Sequence, residues 1–180
     1  MDSNVKSKMR YNNLEIDVKA VFIKDRQYRY FLSYIWDKKK PCLGIIMFNP
    51  SVADENSPDK THAKLINKFS NKYGGIKVIN LISYKSQDPK QLKNNIKKVD
   101  IDVCKCLKYL DTCDVLFAWG SLATLLPKEK RNDVNIAINK IIAAFKEKNL
   151  YQLIPEKIVH PLIRKKTDLY QFNENNLIKF

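Results

Sequence analysis

Ile45-Ile46-Met47-Phe48-Asn49-Pro50-Ser51 is an apolar run that stops abruptly on a polar, turn-forming tripeptide. A short continuous apolar run is the pattern of a strand buried on both faces, and an Asn-Pro step turns the chain at its end. The same grammar recurs in Val78-Ile79-Asn80-Leu81, in Val115-Leu116-Phe117-Ala118-Trp119-Gly120-Ser121-Leu122-Ala123 and in Ile158-Val159-His160-Pro161-Leu162. In an open α/β sheet, strands deliver functional groups to the crevice at their carboxyl ends. Four such segments predict four strand ends gathered at one edge.

The segments between them alternate in kind. Leu14–Ile23 and Gln27–Trp36 read as a β-hairpin around Lys24-Asp25-Arg26, its second strand rich in aromatic residues. Pro41–Phe48, Ile76–Leu81 and Asp114–Trp119 read as core strands. A helix capped by Ser57 or Asp59 runs to about Tyr73 on Ala63, Leu65, Ile66 and Phe69, and Gly74-Gly75 ends it. Ile96, Val99, Val103, Leu107 and Leu110 recur at helical spacing, as do Ile138, Ile141, Ile142 and Phe145. Leu150–Ile154 and Lys157–Val159 read as short extended pieces, and Glu174–Phe180 as a last helix. Strands alternating with helices predict an α/β fold with a mainly parallel central sheet and helices on both faces. Its 180 residues suit a single domain, residues 1–40 forming an N-terminal extension that carries the hairpin.

Composition narrows the partners. No apolar run approaches the ~18 residues that span a bilayer, and Met1–Arg10 has charge with no apolar stretch after it. No membrane partner and no secretory signal are expected, and the expected location is cytoplasmic. The net charge of +14 favours acidic partners, of which nucleic acid is the commonest large polyanion. Lysine is also common on plain helix surfaces, but here Lys38-Lys39-Lys40 precedes the first segment and Arg164-Lys165-Lys166 follows the last. Cys104 and Cys106 point about 200° apart on a helix, while Cys42 and Cys113 sit near strand starts as buried thiols do. Neither pair suggests a metal, and no cofactor is expected.

The polar residues at the strand ends carry the candidate chemistry. Asn49 can orient a water or bond a base edge, although an Asn-Pro turn also serves merely to stop a strand. Asn80 offers a donor and an acceptor together, the complement of a pyrimidine edge. Trp119-Gly120-Ser121 turns a strand into a helix whose N-terminus can take a phosphate. His160, before Pro161, can donate to an oxygen that gains charge as a glycosidic bond breaks. His62, the other histidine, falls on a helix and is expected at the surface. Leu162 and Ile163, followed by Arg164, Lys165 and Lys166, suit an apolar wedge with cations on phosphates.

Taken together, the four segments resemble the uracil-DNA glycosylase superfamily, and more closely a bacterial branch with an Asn-Pro-Ser first motif. The resemblance spans roughly Pro41 to Asn176 and leaves the hairpin outside. It implies that Asn49 stands where the superfamily carries a water-activating carboxylate, replaced by Asn in the mismatch-specific branch. Asn80 matches the Asn that reads the uracil edge. Trp119, Gly120 and Ala123 match the third motif, and His160, Pro161 and Leu162 match the His-Pro loop with its minor-groove leucine. The chain departs from that pattern in four places. The activating Asp is absent, and Ser51 stands where an aromatic blocks the C5 side of the base. No clear Phe stands in the usual place for stacking on the base, for which Phe48 and Phe69 are weak substitutes, and the serine- and proline-rich loop that pinches DNA is missing.

Those departures lead to two expectations. The first is a pseudoenzyme that keeps the glycosylase shape and basic face, excises uracil poorly or not at all, and acts by binding. Its partner would be DNA, or an acidic DNA-mimicking glycosylase inhibitor that uses the same leucine loop. The second is an active glycosylase with a widened pocket for a modified or mismatched pyrimidine, which needs a gripped, flipped nucleotide and an aimed water. In both, Asn49 and His160 hold the catalytic positions, and Phe48, Ser51 and Asn80 hold the base. Ser121, Leu162, Ile163, Arg164, Lys165 and Lys166 face DNA or the inhibitor. A nucleotide enzyme on a Rossmann-like sheet lacks its glycine-rich phosphate loop.

Overall fold

The computed structural model describes residues 3–51, 57–86, 92, 103–112, 114–121, 126–154, 157–162 and 168–172. Eight strands form one sheet: β1 (Ser3–Tyr11), β2 (Leu14–Ile23), β3 (Tyr28–Ile35), β4 (Cys42–Met47), β5 (Gly75–Asn80), β6 (Asp114–Phe117), β7 (Asn149–Gln152) and β8 (Tyr170–Gln171). The helices α1 (Lys60–Phe69) and α2 (Lys128–Ala144) and a 3₁₀ segment (Val103–Tyr109) pack against it. The strand order is β1-β2-β3-β5-β4-β6-β7-β8.

At the centre β5, β4, β6 and β7 run parallel; the apolar runs of β4, β5 and β6 are buried, with Lys77 of β5 only partly so, whereas β7 buries only Leu150 and Gln152. The expectation of a mainly parallel sheet needs correction. Three pairings are parallel, and four, β1 with β2, β2 with β3, β3 with β5 and β7 with β8, are antiparallel. The reason is the hairpin. Leu32 and Tyr34 of β3 alternate with the same apolar period as Val78 and Ile76 opposite them, so β3 zips onto β5 and carries β2 and β1 into the same sheet.

Residues Gln27–Trp36 and Leu14–Ile23 form the hairpin the sequence predicts, with Lys24, Asp25 and Arg26 all in the left-handed region. β1 is a strand in the N-terminal extension ahead of the expected hairpin. It reaches β2 through a two-residue turn at Asn12-Asn13, where Asn12 has φ 52°. Asn tolerates that conformation, and it is the one a tight hairpin needs.

Side chains alternate across the central strands into two apolar clusters. One holds Leu43, Ile45, Ile76, Val78 and Leu116 with Leu65, Ile66 and Phe69 of α1. The other holds Ile46, Ile79, Val115 and Phe117 with Val103 and Cys106 of the 3₁₀ segment and Val134, Ile138 and Ile141 of α2. The described part of the helix predicted up to Leu110 is this 3₁₀ segment, and the predicted Glu174–Phe180 helix lies outside the described residues. Among the described residues, no helix is long and apolar enough to cross a membrane.

Candidate functional site

Strand register brings the first three segments together, and the fourth follows β7. Met47 pairs with Asn80, Ile46 with both Ile79 and Phe117, and Leu116 with Tyr151. The parallel strands β4, β5, β6 and β7 therefore end at one edge, and the polar residues after each apolar run open there.

The loop after β4 is clamped to the end of β5. The Asn49 amide nitrogen donates to the carbonyls of Pro50 at 3.1 Å and Ser86 at 2.9 Å. Both amide protons are thereby committed to backbone oxygens, which is the work of a turn that stops a strand. Phe48 is 1% exposed and belongs to the core cluster with Phe117 and Trp119. The hydroxyl of half-buried Ser51 donates to Oδ2 of Asp59.

Asp59 is the residue that organises the edge. Extended at φ −71°, ψ 176°, it caps α1 by accepting the His62 backbone N–H at 2.9 Å. The same oxygen, Oδ1, lies 2.8 Å from His62 Nδ1, which donates to it. Burial pushes the Asp59 carboxyl up, but the hydrogen bonds from the His62 ring, the His62 backbone and Ser51 outweigh it. The carboxyl is held well below the usual range.

His62, expected at the surface, is 1% exposed. The buried face of α1 is Thr61, His62, Leu65, Ile66 and Phe69, and the cap at i−3 satisfies Nδ1 so that the ring can be enclosed beside Tyr34, with ring centroids 5.6 Å apart. Burial, with the Arg29 charge added, lowers its pKa against the pull of Asp59. A neutral ring donating from Nδ1 leaves Nε2 as a bare acceptor, and that atom is buried with no partner among the described residues.

Asn80 is the second such group. It ends β5 on the face of Ile76 and Val78, is 3% exposed, and neither its amide oxygen nor its nitrogen has a partner among the described residues. Arg29 on β3 is buried as well, its backbone N–H donating to the Ser83 carbonyl at 2.8 Å. A shift in the β2–β3 register between Val21 and Phe22 sets Arg29 opposite Phe22.

The third and fourth segments touch. Gly120 has φ +68°, and a Cβ there would stand 3.3 Å from both the nitrogen and the Cβ of His160. Only glycine lets the β6 turn approach the His160 loop this closely. The His160 Nδ1 accepts the Leu162 backbone N–H at 3.3 Å, so the neutral ring carries its proton on Nε2. Burial lowers the His160 pKa; Asp59 pulls it back up, and His62 and Lys64 lower it further.

Leu162 is 45% exposed in the turn after His160, and Ser121 is exposed in its turn. Ile163, Arg164, Lys165 and Lys166 lie outside the described residues. Asp59, His62 and Arg29 were not among the residues sequence reasoning picked for the site. Two signals mark them: an Asp-x-x-His step at a helix start, and a charge inside the aromatic strand Tyr28-Arg29-Tyr30-Phe31. Among the described residues, no three His, Cys, Asp or Glu side chains converge as a metal site. The edge thus presents an ionised carboxylate, a neutral histidine donor, a bare histidine acceptor and an unused amide.

No curated protein matches the chain. A family model described as a protein of unknown function, DUF1643, matches residues 29–162 and leaves β1 and β2 outside. That span takes in all four strand-end segments and the greater part of the sheet, and the chain belongs to the DUF1643 family.

Proposed function

We propose that this protein is a uracil-DNA-glycosylase-like pseudoenzyme that binds DNA and holds an extruded base at the carboxyl edge of β4, β5, β6 and β7. The observation that carries the reading is Asn80. A buried amide with both groups unused costs stability unless a ligand completes it, and a pyrimidine edge offers the matching acceptor and donor. The net charge of +14 and the exposed Leu162 beside His160 suit a duplex held by its phosphates and parted by a wedge. Asn49 argues against excision, because its amide protons are spent on Pro50 and Ser86. The matching fold reading is a glycosylase-like domain with helices on both faces of the parallel strands. The division of α1 and α2 between the two core clusters supports it. A cytoplasmic protein acting on DNA belongs to the same reading.

One observation favours the second reading, an active glycosylase for a modified or mismatched pyrimidine. Asp59 is an ionised carboxylate bonded to Ser51 of the first segment, and so supplies the acid group that position 49 lacks.

The test pairs duplex binding with single-turnover base release, on duplexes carrying uracil, thymine mismatches or bulkier pyrimidines. Expected are salt-dependent binding, a loss of about tenfold in base preference for Asn80→Val, and no base release. Release that Asp59→Asn and His160→Ala both abolish replaces the pseudoenzyme with the enzyme. Absence of DNA binding at low salt overturns the DNA partner. Tight capture of an acidic DNA-mimicking glycosylase inhibitor in that case makes the inhibitor the partner, on the same Leu162 loop.

A further inference from the structure

Away from the strand-end edge, a groove of about 690 Å³ opens over the antiparallel wing of the sheet. Its walls include Lys6 and Lys8 of β1, Lys19 of β2, Lys77 of β5, and Lys108 and Tyr109 of the 3₁₀ segment. Five lysines line it against two aspartates, Asp17 and Asp111. Each aspartate is paired, Asp17 with Lys38 at 2.6 Å and Asp111 with Lys77. The surplus charge in the groove is positive.

The lysines follow the ladder. Lys6 pairs with Lys19, Lys19 with Ser33, and Ser33 with Lys77, so one row of facing side chains crosses β1, β2, β3 and β5. Adjacent strands lie about 4.8 Å apart. Lysine on an edge strand is an ordinary defence against aggregation, and that accounts for β1. It does not account for Lys19, which lies on a strand paired on both sides, between the buried Val18 and Ala20. Like charges directly opposite each other destabilise a ladder. A Lys6–Lys19 pair facing a concave surface is a cost that a bound anion removes.

The 3₁₀ segment adds an aromatic side chain to the lining, Tyr109, with the Lys108 ammonium 5.4 Å from its ring centroid. Tyr109 stacks on buried Phe31, with centroids 4.9 Å apart and planes at 22°, while staying partly exposed to the groove. A ring fixed in this way is a platform for a base. Lysine ammoniums act as point charges that take phosphates without the fixed bidentate geometry of arginine.

We propose that this groove is a binding site for single-stranded nucleic acid, with the backbone on Lys6, Lys19 and Lys8 and a base on Tyr109. It is separate from the strand-end site in residues and in place. It does not rest on the glycosylase-like reading. The family match begins at Arg29, so the strands that supply Lys6, Lys8 and Lys19 lie outside it.

The experiment is fluorescence anisotropy of a labelled 15-mer oligothymidylate across a salt series, with the whole chain. Lys6→Glu/Lys19→Glu is expected to weaken binding at least tenfold and to lower the salt slope by about 1.4, two contacts at ~0.7 each. Tyr109→Ala is expected to weaken it by about fivefold or more. Lys6→Gln/Lys19→Gln, which removes the repulsion and the two phosphate contacts without adding charge, should raise Tm by about 1–4 °C while weakening binding. That variant separates lost contacts from lost folding. Unchanged affinity in the folded Gln variant overturns the site. Equal affinity for a 15-mer duplex, or displacement by polyglutamate as effective as by oligonucleotide, overturns the single-strand assignment. The two proposals fail separately: Asn80→Val changes preference among bases, whereas the lysine pair changes affinity for every sequence.

Discussion

Asn80 and His62 are costly residues in the free protein. An orphaned buried polar group costs about 1–3 kcal/mol, because water's hydrogen bonds are given up and nothing replaces them. Among the described residues, Asn80 leaves two such atoms without a partner and His62 one. Asn80→Val keeps a compact strand side chain at the end of β5 and removes both orphaned atoms. The expected result is a more stable protein, by about 1 kcal/mol, or roughly 2–4 °C in Tm at this chain length. Thermal unfolding of the two folded proteins measures it, and a drop in Tm would mean that Asn80 is held by native contacts and does not wait for a ligand. Asn80 was legible in the sequence because a polar residue terminating an apolar run has few other reasons to be there. His62 was not. Its burial depends on Asp59 satisfying Nδ1, and a single histidine on a helix does not announce which face it takes.

The α1 helix is where the site and the fold share a part. Its first turn has no acidic residue other than the Asp59 cap, which bonds the His62 backbone, the His62 ring and Ser51. Asp59→Ala removes all three bonds and is expected to cost about 1–2 kcal/mol, near the upper end of capping losses. Asp59→Asn keeps an acceptor for the cap and is expected to cost less. Urea unfolding of the pair checks the order, and equal losses would show that the charge matters more than the cap. The helix start was readable, since Asp before an amphipathic run is a common signal. The strands β4, β5 and β6 were readable from continuous apolar runs, whose burial on both faces leaves no other solution. β1 was missed although Val5, Met9 and Tyr11 alternate with Lys6, Lys8 and Arg10 before Asn12-Asn13. Its pattern is weak because an edge strand buries only one half-exposed side. The antiparallel docking of β3 on β5 was out of reach too, since pairing partners distant in sequence leave no local mark.

Across the whole molecule the titrating groups pull stability in one direction on each side of neutrality. His62 and His160 resist a proton in the folded state that the unfolded chain accepts near 6.5. Unfolding therefore takes up protons below that pH, and stability falls as pH drops through it. Asp59 is lowered from 3.8, so its contribution is complete above that value and is lost as the pH falls further. The alkaline side mirrors this. Burial raises the Cys42 thiol above its ordinary 9.0, so the unfolded chain releases that proton first and stability falls above pH 9. Tyr151, raised from 10.0 by burial and by Asp114, adds to the same limb. The expected profile is a plateau in Tm between about pH 7 and 9 with a decline on either side. His62→Gln should flatten the limb just below pH 6.5, because a neutral amide can still donate to Asp59 but takes no proton. Thermal melts at half-unit steps from pH 5 to 10 read both limbs. A Tm that stays level from pH 7 down to 5 in the wild type would mean that the two histidines titrate as if exposed, and the enclosed Asp59–His62–His160 edge would then be the wrong description of the free protein.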